Sequence, residues 1–249
     1  MRDKVYFLSD LHLGAAYMGN SRQIERHVVS FLDSIKESAS AIYLLGDILD
    51  YWYEYKYVVP RGYVRFFGKL AELADSGIAI TWLLGNHDIW IFDYIPGEIG
   101  VRVVDGNLVE QIQGKRLLMA HGDRVGNPPL SFRFIQSLFR NKFCQFLFSG
   151  IHPRWTVPFA YRWSGSSRSD EAKAITSDTT KVFENLAAVC RDMKQEYPGV
   201  DYFMFGHYHI VGRCQIDANS ELLMMGDWLS HFTYGVMEHG EIQIKKYPI

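Results

Sequence analysis

Residues 5–12 (VYFLSDLH), 41–50 (AIYLLGDILD) and 78–88 (IAITWLLGNHD) share one pattern, and that pattern decides the fold. Each opens as a short apolar run, the signature of a strand buried on both faces. Each closes on polar side chains that can bind cations: Ser9-Asp10-Leu11-His12, Gly46-Asp47-Ile48-Leu49-Asp50 and Gly85-Asn86-His87-Asp88. Helical patterns lie between them. Residues 23–36 repeat Ile24, Val28, Phe31, Leu32 and Ile35, and residues 63–75 repeat Val64, Phe67, Leu70 and Leu73. This alternation predicts an α/β protein. In open α/β sheets, sites gather beyond the carboxyl ends of the strands. The three polar clusters are therefore expected in one crevice.

The second half reads as short β runs around one helix. Residues 108–112 and 117–120 flank Gln113-Gly114, a hairpin signal. Residues 182–193 are helical, and 202–205, 211–216, 222–225, 234–238 and 242–246 are β runs. Two more polar clusters follow strands here: His121-Gly122-Asp123 and Gly206-His207-Tyr208-His209. With 249 residues, 48% of them hydrophobic, the chain suits one domain over 1–249 with an inserted cap. The three cysteines are scattered and read as small core residues. The N-terminus carries no signal-peptide core, and no run approaches the ~20 apolar residues of a membrane span.

One segment stands apart. Residues 124–169 hold seven basic side chains and no acidic one, so in a chain of net charge −2 the remainder carries −9. We assign a helical, basic and aromatic cap to 124–177. Within it Leu130, Phe134, Ile135, Leu138 and Phe139 recur at helical spacing, and Phe143, Phe146, Leu147 and Phe148 extend the apolar surface. Arg133, Gln136, Ser137 and Arg140 fall on the opposite face. An apolar cleft there would take acyl chains, and Arg162, Ser166, Arg168 and Lys173 would meet phosphate and sugar. The bland alternative is core packing with a solvated basic face. The aromatics cluster instead of interleaving with the basic residues, so no nucleic-acid partner is expected.

Carboxylate and imidazole donors without thiolate suit Mn²⁺, Fe or Zn²⁺. Asp-x-His and His-x-His on extended chain would project both side chains to one side. Asp47 could bridge two cations ~3.5–4 Å apart, a spacing that activates water and polarises phosphoryl oxygens. Taken together, DxH, GDxxD, GNHD, a later His and GHxH, in order across residues 5–231, resemble the calcineurin-like metallophosphoesterases. That resemblance implies a four-layer αββα sandwich of two mixed sheets flanked by helices. It implies two divalent metals, Mn²⁺ foremost. Asp10, His12, Asp47 and His209 would hold one, and Asp47, Asn86, His121 and His207 the other. His87 would stand over the phosphate as the catalytic group, with Asp88 orienting it and Asn86 also touching substrate.

A narrower resemblance rests on residues 46–52, on 162–168 and on Gly226-Asp227-Trp228. These are similar to the branch of the family that cleaves acylated nucleotide sugars in lipid A synthesis. It implies an acylated nucleotide-sugar substrate and peripheral contact with the cytoplasmic face of the inner membrane. Many members of that branch carry Arg where this chain has His87. Two other readings compete: a phosphodiesterase or phosphatase for soluble substrates, and an inactive scaffold of the same fold. Asp123 would orient His121 or simply end a strand. His231 would touch substrate or solvent, and the aromatic run 51–57 would rim the cleft or pack its loop. The oligomeric state is left open.

Overall fold

The computed structural model describes residues 2–15, 20–126, 130–175 and 179–249, with side chains at all of these except 163 and 166–175. Two mixed sheets stack face to face. The first contains β1 (Lys4–Leu8), β2 (Ala39–Leu44), β3 (Ala79–Leu83), β4 (Arg102–Val104), β10 (Thr233–Glu238) and β11 (Glu241–Lys246), in the order β11-β10-β1-β2-β3-β4. The second contains β5 (Leu108–Ile112), β6 (Lys115–Ala120), β7 (Tyr202–Phe205), β8 (Val211–Asp217) and β9 (Ser220–Met225), in the order β5-β6-β7-β9-β8. Strands β1 to β4 run parallel, as do β6, β7 and β9. The antiparallel pairs lie towards the outer sides.

Side chains alternate along each strand, and the alternation builds the layers. Val5, Phe7, Tyr43, Leu45 and Leu83 meet Leu117, Met119, Tyr202, Met204, Leu223 and Met225 between the sheets. Tyr6, Leu8, Ile42, Leu44, Ile80 and Trp82 point the other way, onto α1 (Ser21–Ile35), α2 (Val64–Asp75) and α3 (Tyr94–Ile99). On the far side Leu118, Phe203, Phe205, Leu222 and Met224 pack on Leu186 and Cys190 of α7 (Thr179–Glu196). The result is the expected αββα sandwich. Neither α3 nor β4 was anticipated. They are six and three residues long, too short for periodicity to show.

Three helices occupy the segment expected as the cap: α4 (Leu130–Arg140), α5 (Lys142–Ser149) and α6 (Pro153–Ile175). Their orientation corrects one expectation. The apolar edge of α4 faces outward, with Leu130 79%, Phe134 70% and Leu138 43% exposed. Part of the polar side turns in, while Arg133 and Ser137 stay exposed: the Gln136 amide donates to Asp123 at 2.7 Å, and Arg140 pairs with Asp105 at 3.4 Å. Burial of a polar group requires a partner, and these two carboxylates supply it. The cap still contributes a cleft of about 290 Å³, lined by Trp90, Leu138, Phe139, Leu147, Phe148 and Ile151 among others. No helix among the described residues is long and apolar enough to cross a membrane.

Candidate metal centre

At the carboxyl ends of β1, β2 and β7 the chain turns sharply at residues that carry the polar groups. Asp10 (φ 53°), His12 (42°), Asp47 (51°), His207 (65°) and His209 (52°) are all left-handed. That region is uncommon for a residue with a Cβ and costs about 1–3 kcal/mol at each position. Main-chain hydrogen bonds help hold it: Asp10 N–H to Gly46 O (3.1 Å), His12 N–H to Asp47 O (2.9 Å) and Trp228 N–H to Asp10 O (3.2 Å). Projection from extended chain is thus corrected. The strands have already ended, and left-handed turns bring Asp10 and His12 together.

Glycine is required at three of these turns because of what a side chain would strike. A Cβ on Gly46 would lie 2.6 Å from His121 Nδ1, and one on Gly85 would lie 2.2 Å from Asp47 Oδ1. A Cβ on Gly206 would lie 1.9 Å from Ser9 Oγ and 2.5 Å from Asp10 Oδ2. Both sheets can therefore bring their loops into one crevice.

The donor atoms converge in groups. Those of Asp10, His12 and His209 lie within 4.8 Å of one another, as do those of Asp47, His121 and His207. Asp47 Oδ2 joins the two halves: it is 3.7 Å from His12 Nε2 and 3.2 Å from His121 Nε2. Asn86 Oδ1 adds a donor 3.2 Å from His121 Nε2. His12, Asp47 and His87 form a third such group, so His87 is also within ligand reach. Two carboxylates, one amide oxygen and four imidazoles without thiolate fit a pair of divalent cations. All seven expected ligand positions are brought together.

The buried carboxylates and imidazoles set one another's protonation. Burial alone would raise the Asp47 carboxyl, but His121 and His87 beside it hold it well below the usual range. Burial would lower the His121 imidazole, yet Asp47 raises it well above its ordinary value. Burial and His121 push His207 down to about 3, so its lone pair is available at neutral pH. Burial raises Asp10 against the pull of His209.

Outer contacts set the ring orientations. His121 Nδ1 lies 2.9 Å from Leu45 O, so it carries the proton and Nε2 faces the site. His209 Nδ1 is 3.2 Å from Asp227 Oδ2, and His12 Nδ1 is 3.5 Å from Asp50 Oδ1. The carboxyl of Asp227, although buried, is depressed by its bond to His209. His87 Nδ1 lies 2.9 Å from Asp50 O and 3.2 Å from Ser164 Oγ.

One expected role changes. Asp88 does not orient His87. Its carboxylate accepts from Ile48 N–H (2.8 Å), Gly85 N–H (2.8 Å) and Trp82 Nε1–H (3.1 Å), tying two site loops to β3. Burial and Asp47 push its pKa up to about 6. Asp123 follows the end of β6 and anchors α4, and its charge helps to raise the His121 imidazole. His231 reaches Asp227 at 3.2 Å, and Arg162 is exposed. The side chains of Ser166, Arg168 and Lys173 lie outside the described residues. Asp227 and Ser164 were missed as supports, the first noted only beside Trp228 and the second without any signal of its own.

The calcineurin-like phosphoesterase family model matches residues 3–211, and the chain belongs to that family. It is a metal-dependent phosphoester hydrolase of the fold that the paired sheets define. A UDP-2,3-diacylglucosamine hydrolase from Porphyromonas gingivalis is 36% identical, covering 96% of this chain and 95% of its own. One of the same name from Edwardsiella ictaluri is 26% identical, covering 90% and 85%. Among solved structures, a dimetal phosphatase from Danio rerio aligns with a TM-score of 0.46 at 13% identity, covering 97% of this chain and 95% of that one.

Proposed function

We propose that this protein hydrolyses the pyrophosphate of UDP-2,3-diacylglucosamine, giving UMP and 2,3-diacylglucosamine 1-phosphate. One observation carries the reading: a two-lobed donor set joined at Asp47 sits beside a cap whose cleft is apolar. Asp10, His12, Asp47 and His209 would hold one cation, and Asp47, Asn86, His121 and His207 the other. Mn²⁺ is the first choice, and Fe or Zn²⁺ suit the same donors. When bound, such a pair supplies Lewis acidity to phosphoryl oxygens and lowers the pKa of water.

The protein's own groups would do the rest. Asp47 Oδ1 accepts the His87 backbone N–H at 2.9 Å, which ties the bridging carboxylate to the catalytic loop. His87 Nε2 lies 3.9 Å from Asp47 Oδ2, on the side where the phosphate is expected. There it stabilises developing charge and passes a proton to the leaving oxygen. The cap, 124–177, encloses an acyl chain, with Arg162, Ser166, Arg168 and Lys173 meeting sugar and phosphate. Its exposed Phe134, Phe143, Phe146, Trp155 and Phe159 would rest on the cytoplasmic face of the inner membrane.

The test is direct. Full-length protein with Mn²⁺ is given UDP-2,3-diacylglucosamine, and UMP is quantified by chromatography. Equimolar UMP and sugar phosphate are expected. No UMP from a preparation that still cleaves bis(p-nitrophenyl) phosphate would reject the substrate and leave the enzyme class intact.

A further inference from the structure

The geometry points to Ser164 as a positioning residue for His87: a hydroxyl from the cap fixes the ring that faces the phosphate. The inference rests on the placement of His87 given above, but not on the acylated substrate.

Beside the Arg140–Asp105 pair, six hydrogen-bonded contacts among the described residues seat the cap on the body. Gln136 reaches Asp123 (2.7 Å), Trp90 donates to Phe139 O (2.8 Å) and Tyr53 donates to Gln145 O (2.6 Å). Tyr55 meets Thr156 (2.5 Å), and Tyr63 meets Tyr161 (3.1 Å). The sixth is Ser164 with His87 (3.2 Å), and of these six it alone ends on a residue of the metal crevice. Ser164 is 4% exposed, although it lies on a cap helix. Among the described residues its hydroxyl bonds to nothing on its own helix, the usual partner of a helical serine.

The protons settle the direction of that contact. Asp50 O can only accept, so the His87 Nδ1 facing it at 2.9 Å carries the hydrogen. Ser164 Oγ, close to the same nitrogen, then accepts a share of the same N–H. Two acceptors on different elements hold the Nδ1 hydrogen and fix one ring angle, so a second hydrogen, carried on Nε2, is the one that can pass to the leaving oxygen. Nε2 is left facing Asp47. Without Ser164 the Nδ1 hydrogen keeps the Asp50 carbonyl, with the Asp50 carboxylate farther off at 4.0 Å, and the ring is held less firmly about its side-chain bonds.

Steady-state rates with Mn²⁺ on bis(p-nitrophenyl) phosphate test this, because that diester has no acyl chain to engage the cap. Ser164→Ala should lower kcat about fivefold, with KM near wild type. Ser164→Thr, which keeps the hydroxyl, should recover most of the rate. In a His87→Ala background, Ser164→Ala should add no further loss, since the two act as one unit. An unchanged kcat on the diester would overturn the inference, as would a full additional loss in the His87→Ala background. A defect confined to acylated substrates would also overturn it and make Ser164 a substrate contact. An enzyme that cleaves the diester but not UDP-2,3-diacylglucosamine refutes only the substrate reading, because every comparison here is made on the diester.

Discussion

The metal crevice and the cap are built by opposite means. In the crevice, left-handed backbone and main-chain hydrogen bonds set the loops after β1, β2 and β7, and three glycines leave no room for another side chain. In the cap, three helices are held largely by the tips of side chains, and large apolar groups face outward. A rigid site carries chemistry, and a lightly seated cover can adapt to a bulky ligand. Substitutions in the crevice should therefore act on turnover for every substrate. Those in the cap should separate substrates by their apolar part.

The sharpest way to break this contrast is Asp47→Asn. The change removes the charge from the oxygen shared by both halves of the donor set. Turnover on any phosphodiester should fall at least about 10³-fold, and elemental analysis should find less than two bound cations per chain. Retention of near-wild-type rate would show that the halves do not act as a pair. His87→Ala should come next, with a loss of about 10²–10⁴-fold typical of a removed general acid. Its metal content should stay at the wild-type level. Loss of metal would move His87 into the ligand set, which its proximity to His12 and Asp47 allows.

Gly206→Ala probes the crevice without removing a donor. The new methyl would be forced against Ser9 Oγ and Asp10 Oδ2. Crowding of this kind costs roughly 1–3 kcal/mol, so the midpoint of urea unfolding should fall with little change in slope. Cation affinity should fall with it. An intact affinity at lowered stability would mean that Asp10 can move aside and still bind.

Legibility from sequence follows the same division. The strands were readable because burial on both faces leaves continuous apolar runs, as in residues 41–45 and 202–205. The seven crevice residues were readable because their side-chain types decide the chemistry and each follows a strand. Asp88 misled because neighbourhood in sequence does not tell which way a carboxylate turns: His87 faces the crevice and Asp88 faces β3. In α4, periodicity gave two faces, but burial divides each: Arg133 and Ser137 are exposed beside buried Gln136, and Phe139 packs on Trp90 while Phe134 is exposed. The polar part was decided by Asp105 and Asp123, which draw Arg140 and Gln136 inward. The aromatic run after Asp50 proved to be the seat of the cap, since Tyr51, Tyr53, Ile89 and Trp90 form one cluster beneath it.

A smaller effect is expected at the outward face. Phe134→Ser with Phe146→Ser removes two side chains that are 70% and 71% exposed. Thermal stability should hardly move, because neither is part of a core. Sedimentation with anionic phospholipid vesicles should fall about tenfold if these rings enter a bilayer surface. Unchanged sedimentation would remove membrane contact from this face and leave the cleft alone to explain the apolar cap.

Tyr53→Phe makes the mildest change and divides the two regions most finely. Tyr53 is buried, and its hydroxyl donates to the carbonyl of Gln145, within α5. Its ring also packs on Phe148 and Trp90, which line the cleft. Phenylalanine keeps that packing and removes only the hydrogen bond, a loss of about 1 kcal/mol. The closed arrangement of α5 should become less populated, raising KM for an acylated substrate about fivefold. Rates on bis(p-nitrophenyl) phosphate should stay at wild type, because among the described residues the bonds and ring contacts of α5 to the body run to Tyr53 and Trp90, and the link to His87 runs through α6. Equal losses on both substrates would mean that the cap moves as one body and that loosening one helix misplaces the hydroxyl on another.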